Sequence, residues 1–501
     1  MATSPSPPPP PRSLPSLADV IFSSEQANHN FSRILGDLKR ANLSITNRLR
    51  SIRHDAAFVA RVAAARPRLP LVANERCGSW YIDPALKAAS AYFKSTDGHT
   101  GQWKFSTRRV NLHLLDLIAQ HNGCIIVDST RRGKRIPDAL SKTVPIWCAV
   151  LNRALFPSAP TAWHALHVPP NVVSLSEQSQ IEARLPRFVA DFLALEVDLA
   201  PLQQRLRNKP LRPLWATQDD FNDDDDFEGS GSELEFYPVV CCTSSRCVAG
   251  GTEVGEGAGY IQGAGDDTEN WALGLTAPLF WAHADALLTT PEHELPALIQ
   301  SLVAVHTNTG VPTELRQVAP RLAIGVLPPE PAARAALTVA SASGATTCVV
   351  ALVPAVTDAA SWEKSPSHLE VGLGGKSKAA SRALRAALPQ ICDFVSRFLL
   401  RPDDDDDDDD DDGGGSSLGG VAEKRAVAIV CESGKDLSVG VALALYCWCF
   451  DSSGQNLLLG GDREPFTKTK IRVRLGHILS RLPDANPSRA TLQSVNSFLI
   501  D

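Results

Sequence analysis

Residues 129–135 read Ser129-Thr130-Arg131-Arg132-Gly133-Lys134-Arg135, four cations and two hydroxyls in seven positions. Groups of this kind at this density have no apolar role and are suited to gripping a phosphate. The bland alternative is a solvated basic turn. The flanking residues favour the phosphate. Residues 124–127 form a short continuous apolar run, the pattern of a buried strand, and Asp128 ends it. Beyond the loop, Pro137 suits the first position of a helix, and Leu140, Val144, Trp147 and Leu151 recur at helical spacing. Lys142 lies on that helix. A strand that feeds a basic loop that opens a helix aims free N–H groups and a positive dipole end at one point. The spacing is not that of the common Gly-x-x-x-x-Gly-Lys-Ser/Thr nucleotide loop.

A second polar stretch, residues 92–109, has little to bury. It packs Lys94, Asp97, His99, Trp103, Arg108 and Arg109 around Gly98 and Gly101, and surface loops of this kind often carry function. Val110, Leu114, Leu117 and Ile118 then mark a helix, so Arg108 and Arg109 stand at its start. Cations oppose the helix dipole there, which makes sense if an anion binds between them. In residues 260–276 the pair Asp266 and Asp267 lies in a Gly-rich turn. Two carboxylates can hold Mg²⁺ through oxygen; a helix N-cap at Asp267 with Glu269 in the first turn explains them equally well.

The elements around these stretches imply an α/β chain of 501 residues in two large parts. The formal net charge of −7 hides a basic fold. Ten aspartates at 403–412 and six more at Asp219, Asp220 and 223–226 set the sign, and without them the balance is +9. Residues 1–18 are Pro/Ser-rich and expected to be disordered, as are the acidic segment 219–232 and the Asp/Gly/Ser segment 402–420. Helical patterns run through 25–66, with cations at Lys39, Arg40, Arg48, Arg50 and Arg53, and through 178–195, 376–400, 439–450, 469–482 and 487–499. Strands are expected near 238–246, 322–327, 347–353 and 426–430. Eleven cysteines show no CxxC pair or zinc spacing, several sit in apolar runs, and no signal-peptide pattern is present. Reduced thiols in the cytosol or nucleus are the expectation. No apolar run is long enough to span a membrane.

Near the carboxy end, Cys431 closes a strand pattern and is followed by Gly434, Lys435, Asp436 and Ser438. The Cys, Gly and Ser spacing, with Asn486-Pro487 and a last helix, resembles the phosphate loop of dual-specificity phosphatases. In such a loop the thiolate attacks phosphorus. That chemistry needs an Arg six residues after the Cys to clamp the phosphate, where this chain has Leu437, and Val430 replaces the preceding His. Phosphate binding without cleavage, through Lys435 and the loop amides, is the expectation.

Taken together, residues 92–103 (YFKSTDGHTGQW), 123–148 (GCIIVDSTRRGKRIPDALSKTVPIWC), 260–267 (YIQGAGDD), 431–440 (CESGKDLSVG) and 485–499 (ANPSRATLQSVNSFL) closely resemble the initiator tRNA 2′-O-ribosyl phosphate transferases. The likeness runs from about Phe22 to the end. It implies an amino-terminal α/β catalytic region, taken as 19–365, and a dual-specificity-phosphatase-like α/β domain, 366–501. It implies transfer of a phosphoribosyl group from phosphoribosyl pyrophosphate to a ribose 2′-OH in the T-stem of initiator methionyl tRNA, which keeps that tRNA out of elongation. Displacement at an anomeric carbon passes through an oxocarbenium-like state. It calls for cations or Mg²⁺ on the departing pyrophosphate and a base near the hydroxyl. Ser129, Thr130, Arg131, Arg132, Lys134, Arg135, Lys142, Lys94, Arg108 and Arg109 are the candidate phosphate and donor ligands. Asp128 is the first choice for base or Mg²⁺ ligand, then His99 and Asp97. The expected form is a cytoplasmic monomer whose partners are the tRNA and the donor. The rivals are a silent tRNA-binding protein with phosphate-gripping loops, and an active phosphatase.

Overall fold

A computed structural model of the chain describes residues 43–96, 101–221, 234–253, 259–308, 315–339, 346–374, 378–401, 425–451, 457–458 and 465–500. The expected amino-terminal tail, the first helical pattern with Lys39 and Arg40, His99 and Asp97, and the second acidic run lie outside them.

The amino-terminal part is built on a parallel sheet of five strands: β1 Leu71–Asn74, β2 Lys87–Ala91, β3 Cys124–Asp128, β4 Leu211–Ala216 and β5 Tyr237–Thr243, in the order β2-β1-β3-β5-β4. A parallel sheet is covered on both faces, which is why β3 reads as an unbroken apolar run. Period-two alternation sends Cys124 and Ile126 to one face and Ile125 and Val127 to the other. The first face is covered by α2 (His113–His121), α3 (Val144–Leu155), α4 (Leu175–Glu182) and α5 (Leu185–Leu193). The second is covered by α1 (Ile45–Ala64) and by helices within 277–308.

The helix after β3 opens with a π-helical turn, Ala139–Thr143, before α3. Pro145 lacks the N–H that would bond to the Ser141 carbonyl, so the α-helical ladder cannot close over that turn. Pro137 stands just ahead, its carbonyl accepting from the Leu140 and Ser141 N–H groups, both at 2.9 Å. The single helix expected over 178–195 is split into α4 and α5. Pro186 sits in the first turn of α5, where its missing N–H ends the preceding helix.

The second sheet has the order β11-β12-β10-β13-β9-β8. Its strands are β8 Arg316–Ala319, β9 Leu322–Val326, β10 Thr346–Val353, β11 Glu363–Ser365, β12 His368–Gly372 and β13 Arg425–Cys431; β6 (Thr252–Glu253) and β7 (Tyr260–Ile261) form a separate hairpin. The inner strands are parallel and the two edges antiparallel. Along β13 the larger Val427, Ile429 and Cys431 meet α6 (Lys378–Leu400), α7 (Leu437–Cys449), α8 (Lys468–Arg481) and α9 (Arg489–Ile500). The small Ala426 and Ala428 face a thinner cover that includes Val339. The second sheet draws its strands from both sides of residue 366. β8 to β11 all lie before it, and β9 and β10 flank β13 directly, so the second sheet starts at Arg316.

Candidate functional site

In a parallel sheet, ligands bind at the carboxyl ends of strands where the strand order reverses. Here that point lies between β1 and β3, and Asn74 and Asp128 stand at the two strand ends. Asp128 is fully buried, and four donors surround its carboxylate. Oδ2 accepts from Asn74 Nδ2 at 2.8 Å and Arg76 Nε at 3.2 Å; Oδ1 accepts from the Ser129 N–H at 2.8 Å and the Cys77 thiol at 3.1 Å. With its acceptor positions taken, Asp128 holds the strand ends together, and its oxygens face protein groups. Arg76 also donates to the Ser129 carbonyl at 3.1 Å and lies 3.5 Å from Asp266 Oδ2. Burial opposes the charge on Arg76, but Asp128 and Asp266 raise its pKa and keep it a cation. Burial raises the Cys77 thiol well above its ordinary value, with Asp266 and Asp128 adding to it, so the sulfur stays a protonated donor.

The basic loop is clamped from behind. Ser245 Oγ bonds both the N–H and the carbonyl of Thr130, at 3.1 and 3.0 Å; Gln262 accepts from the Gly133 N–H at 2.8 Å and donates to the Lys134 carbonyl at 2.6 Å. Gly263, at φ +69°, lets its chain pass under Thr130, where a Cβ would stand 2.6 Å from the carbonyl oxygen. The hydroxyls of Thr130 and Thr243, at the ends of β3 and β5, are buried without a hydrogen-bond partner. Such a pair of orphaned groups is costly in a finished core and informative beside a site.

The cations then divide. Arg131 pairs with Asp267 and Arg135 with Asp220, while Arg132 is exposed at φ +57°. Lys134 and Lys142 converge on Asp138 Oδ1 at 3.3 and 3.4 Å, and Lys142 also meets Glu177 at 2.9 Å. Thr96 donates to Asp138 at 3.1 Å and the Trp103 indole to Glu177 at 2.9 Å. These groups, with Arg135, line a cavity of about 640 Å³. Burial works against ionisation of Glu177, yet Lys142 and Trp103 hold its carboxyl below the usual range. The site thus combines cations that can take phosphate oxygens with two carboxylates that can take a proton or a hydroxyl.

Several expectations change. Asp266 and Asp267 do not form a metal pair. Asp266 turns to Arg76, and burial raises its pKa with Arg76 opposing. Asp267 turns to Arg131 from a left-handed residue whose side chain caps nothing. No group of three or more His, Cys, Asp or Glu arranged to hold a metal ion occurs among the described residues. Arg109 leaves the site altogether. It stacks on Tyr92 at 4.0 Å and donates to the carbonyls of Pro483 and Ala485 at 2.9 and 2.6 Å, bridging the two parts. Lys94 and Arg108 are exposed, and the Lys94 carbonyl accepts from the Thr143 hydroxyl at 2.8 Å. The acidic loop begins later than 219, because Asp220 is held by Arg135 and by Thr217 at 2.9 Å. Asn74, Arg76, Cys77, Asp138, Glu177 and Ser245 were not singled out as site residues from sequence. The polar Asn74-Glu75-Arg76-Cys77 run directly after a strand was the signal for three of them.

In the second part, Ser438 Oγ lies 3.1 Å from Cys431 Sγ, and Gly434 turns the loop at φ +61°. Leu437 and Glu432 line the small pocket beside the thiol, where a phosphate clamp would need a cation. Asp436 also lines that pocket, but its carboxylate is taken up by the last helix. It accepts from the Ser488 N–H at 2.8 Å and the Thr491 hydroxyl at 2.6 Å. Lys435 forms an ion pair with Asp484 at 3.1 Å.

No solved structure matches the chain. Residues 38–304 match the model of the Rit1 N-terminal domain, and residues 367–499 match that of the Rit1 DUSP-like domain. A Saccharomyces cerevisiae protein named tRNA A64-2'-O-ribosylphosphate transferase is 33% identical over 514 residues, covering 94% of this chain and 95% of its own. An uncharacterized Schizosaccharomyces pombe protein is 47% identical over 268 residues, covering 52% of this chain and 57% of its own. Two domain matches in the right order, and a relative aligned almost from end to end, make this chain a member of the Rit1 family.

Proposed function

We propose that the protein transfers a phosphoribosyl group from phosphoribosyl pyrophosphate to a ribose 2′-OH of tRNA, with initiator methionyl tRNA as the acceptor. One observation carries the reading: Lys134, Lys142 and Arg135 line a cavity beside the strand-order reversal, together with two carboxylates. The cations draw charge from the departing pyrophosphate as the anomeric C–O bond breaks. Asp138, which faces the cavity, takes the proton of the incoming hydroxyl, while enclosed Asp128 positions the loop. Mg²⁺ carried in on the pyrophosphate would neutralise charge on the departing group, a role that needs few protein ligands. None of the eleven cysteines is in a disulfide, in keeping with a cytoplasmic protein, and no helix among the described residues is long and apolar enough to cross a membrane. We read the working form as a monomer.

Incubating the protein with Mg²⁺, ribose-labelled phosphoribosyl pyrophosphate and tRNA is the test. Label should enter the tRNA. Binding of tRNA without label would favour the silent rival, and phosphate release from an aryl phosphate would favour a phosphatase. Neither rival is favoured by the family relationship. Because the Cys431 pocket lacks a cation, Cys431→Ser is expected to transfer label at the wild-type rate. A phosphocysteine, or loss of transfer by a folded variant, would sink that expectation.

A further inference from the structure

The segment joining α8 to α9 gathers cations from three distant parts of the chain. Arg316 NH1 lies 2.6 Å from Asp484 Oδ1, and Lys435 Nζ lies 3.1 Å from Asp484 Oδ2. Arg109 reaches in from the amino-terminal part and donates to the carbonyls on either side of Asp484. The segment is tied to the phosphate-type loop by the Asn486 N–H, which donates to the Lys435 carbonyl at 2.9 Å. Two cations therefore meet one carboxylate, and a third, Arg109, holds the backbone on either side of it. Burial lowers the pKa of Arg109, with Tyr92 and Asp484 opposing. The helix leading in, α8, carries Lys468, Lys470, Arg472, Arg474 and Arg481 and no acid. That helix brings positive charge to the seam; of the nearby acids, Glu432 is exposed in the loop and Asp436 is taken up by Ser488 and Thr491.

A carboxylate bridging an arginine and a lysine through its two oxygens has the charge and donor geometry of a bound phosphodiester. We propose that this seam binds a phosphate of the RNA backbone, with Asp484 occupying the phosphate position until RNA displaces it. The inference rests on the transferase reading for the identity of the RNA. It gives the second domain a task that its loop can perform without an attacking thiol: fixing the tRNA relative to the cavity in the first domain. Arg109 makes that placement rigid, because one side chain ties the stretch bearing Thr96 and Trp103 to the seam.

The test is tRNA binding by full-length protein over a salt series, with transfer by the wild type measured separately. Lys435→Ala and Arg316→Ala should each weaken binding and flatten the slope of log K against log salt by about one, the loss of roughly one phosphate contact. Asp484→Asn should act in the opposite sense and tighten binding several-fold, since the competing carboxylate is gone. Wild-type slope and affinity in both alanine variants would overturn the proposal, as would a folded Asp484→Asn that binds no more tightly. Should Asp484→Asn fail to fold, the alanine pair decides alone. If the wild type transfers no label, the transferase reading fails, while the salt slopes still decide the seam.

Discussion

Arg76→Ala should be the most damaging single substitution in the amino-terminal part. Arg76 is the charged partner of fully buried Asp128 and reaches Ser129 and Asp266 as well. Its removal strands a buried carboxylate, which typically costs about 3–5 kcal/mol. In a domain of this size that corresponds to a fall of roughly 10 °C in melting temperature. Transfer should fall with it, because the carbonyl that Arg76 holds belongs to the first residue of the basic loop. Arg76→Lys should recover part of the stability and less of the activity, since an ammonium keeps the charge but not the fork that spans Asp128 and Ser129. Adding Asp128→Asn should make the double variant less unstable than the two single effects added together, as expected of groups in direct contact. Thermal melts of the wild type, Arg76→Ala, Arg76→Lys, Asp128→Asn and the double variant decide the matter. A melting temperature for Arg76→Ala within a degree or two of wild type would show that Asp128 does not depend on it.

The triple variant Arg131→Ala/Arg132→Ala/Lys134→Ala should behave in the opposite way, losing activity and keeping its fold. Arg131 and Lys134 are 40% and 44% exposed, so each ion pair is open to water at its cation, and Asp138 keeps Lys142 when Lys134 is lost. Pairs of that kind contribute about 0–1 kcal/mol each, and the loop backbone stays fixed through Ser245 and Gln262. Transfer should drop by ~10²–10³-fold or more, by analogy with removal of preorganised groups that meet developing charge. A near-normal rate from a folded triple variant would move donor binding elsewhere. Lys142→Ala then becomes the informative follow-up, because Lys142 is the cation that contacts both cavity carboxylates.

What residues 123–151 do locally was legible in the sequence. A fully apolar run predicts a strand buried on both faces, the following cations and hydroxyls predict a loop, and the helical spacing beyond Pro137 predicts α3. Each property is fixed by neighbours a few positions away, and the structure has all three. The family and its two-part α/β architecture were legible for a related reason: long stretches of characteristic residues carry them without any knowledge of contacts. The phosphate-type loop at Cys431 and its missing arginine belong in the same group.

Tertiary structure decided which charged groups are spent on one another. Asp128 is enclosed because Asn74 and Arg76 arrive from β1, 54 and 52 residues away. Asp138 has Lys134 and Lys142 four residues to either side, but Thr96, 42 residues away, is brought to it only by the fold. Arg131 and Asp267 looked like a phosphate ligand and a metal ligand, and the fold makes them an ion pair. Arg109 looked like an anion site, but its partners lie 374 and 376 residues on. The start of the second sheet at Arg316 was equally hidden, since strand pairing leaves no mark on the strand that waits for its partner. A buried charge takes whichever opposite charge or donor the fold brings within reach, because leaving it unpaired costs more than most single contacts contribute. That choice is made in three dimensions, and no local pattern of residue types records it.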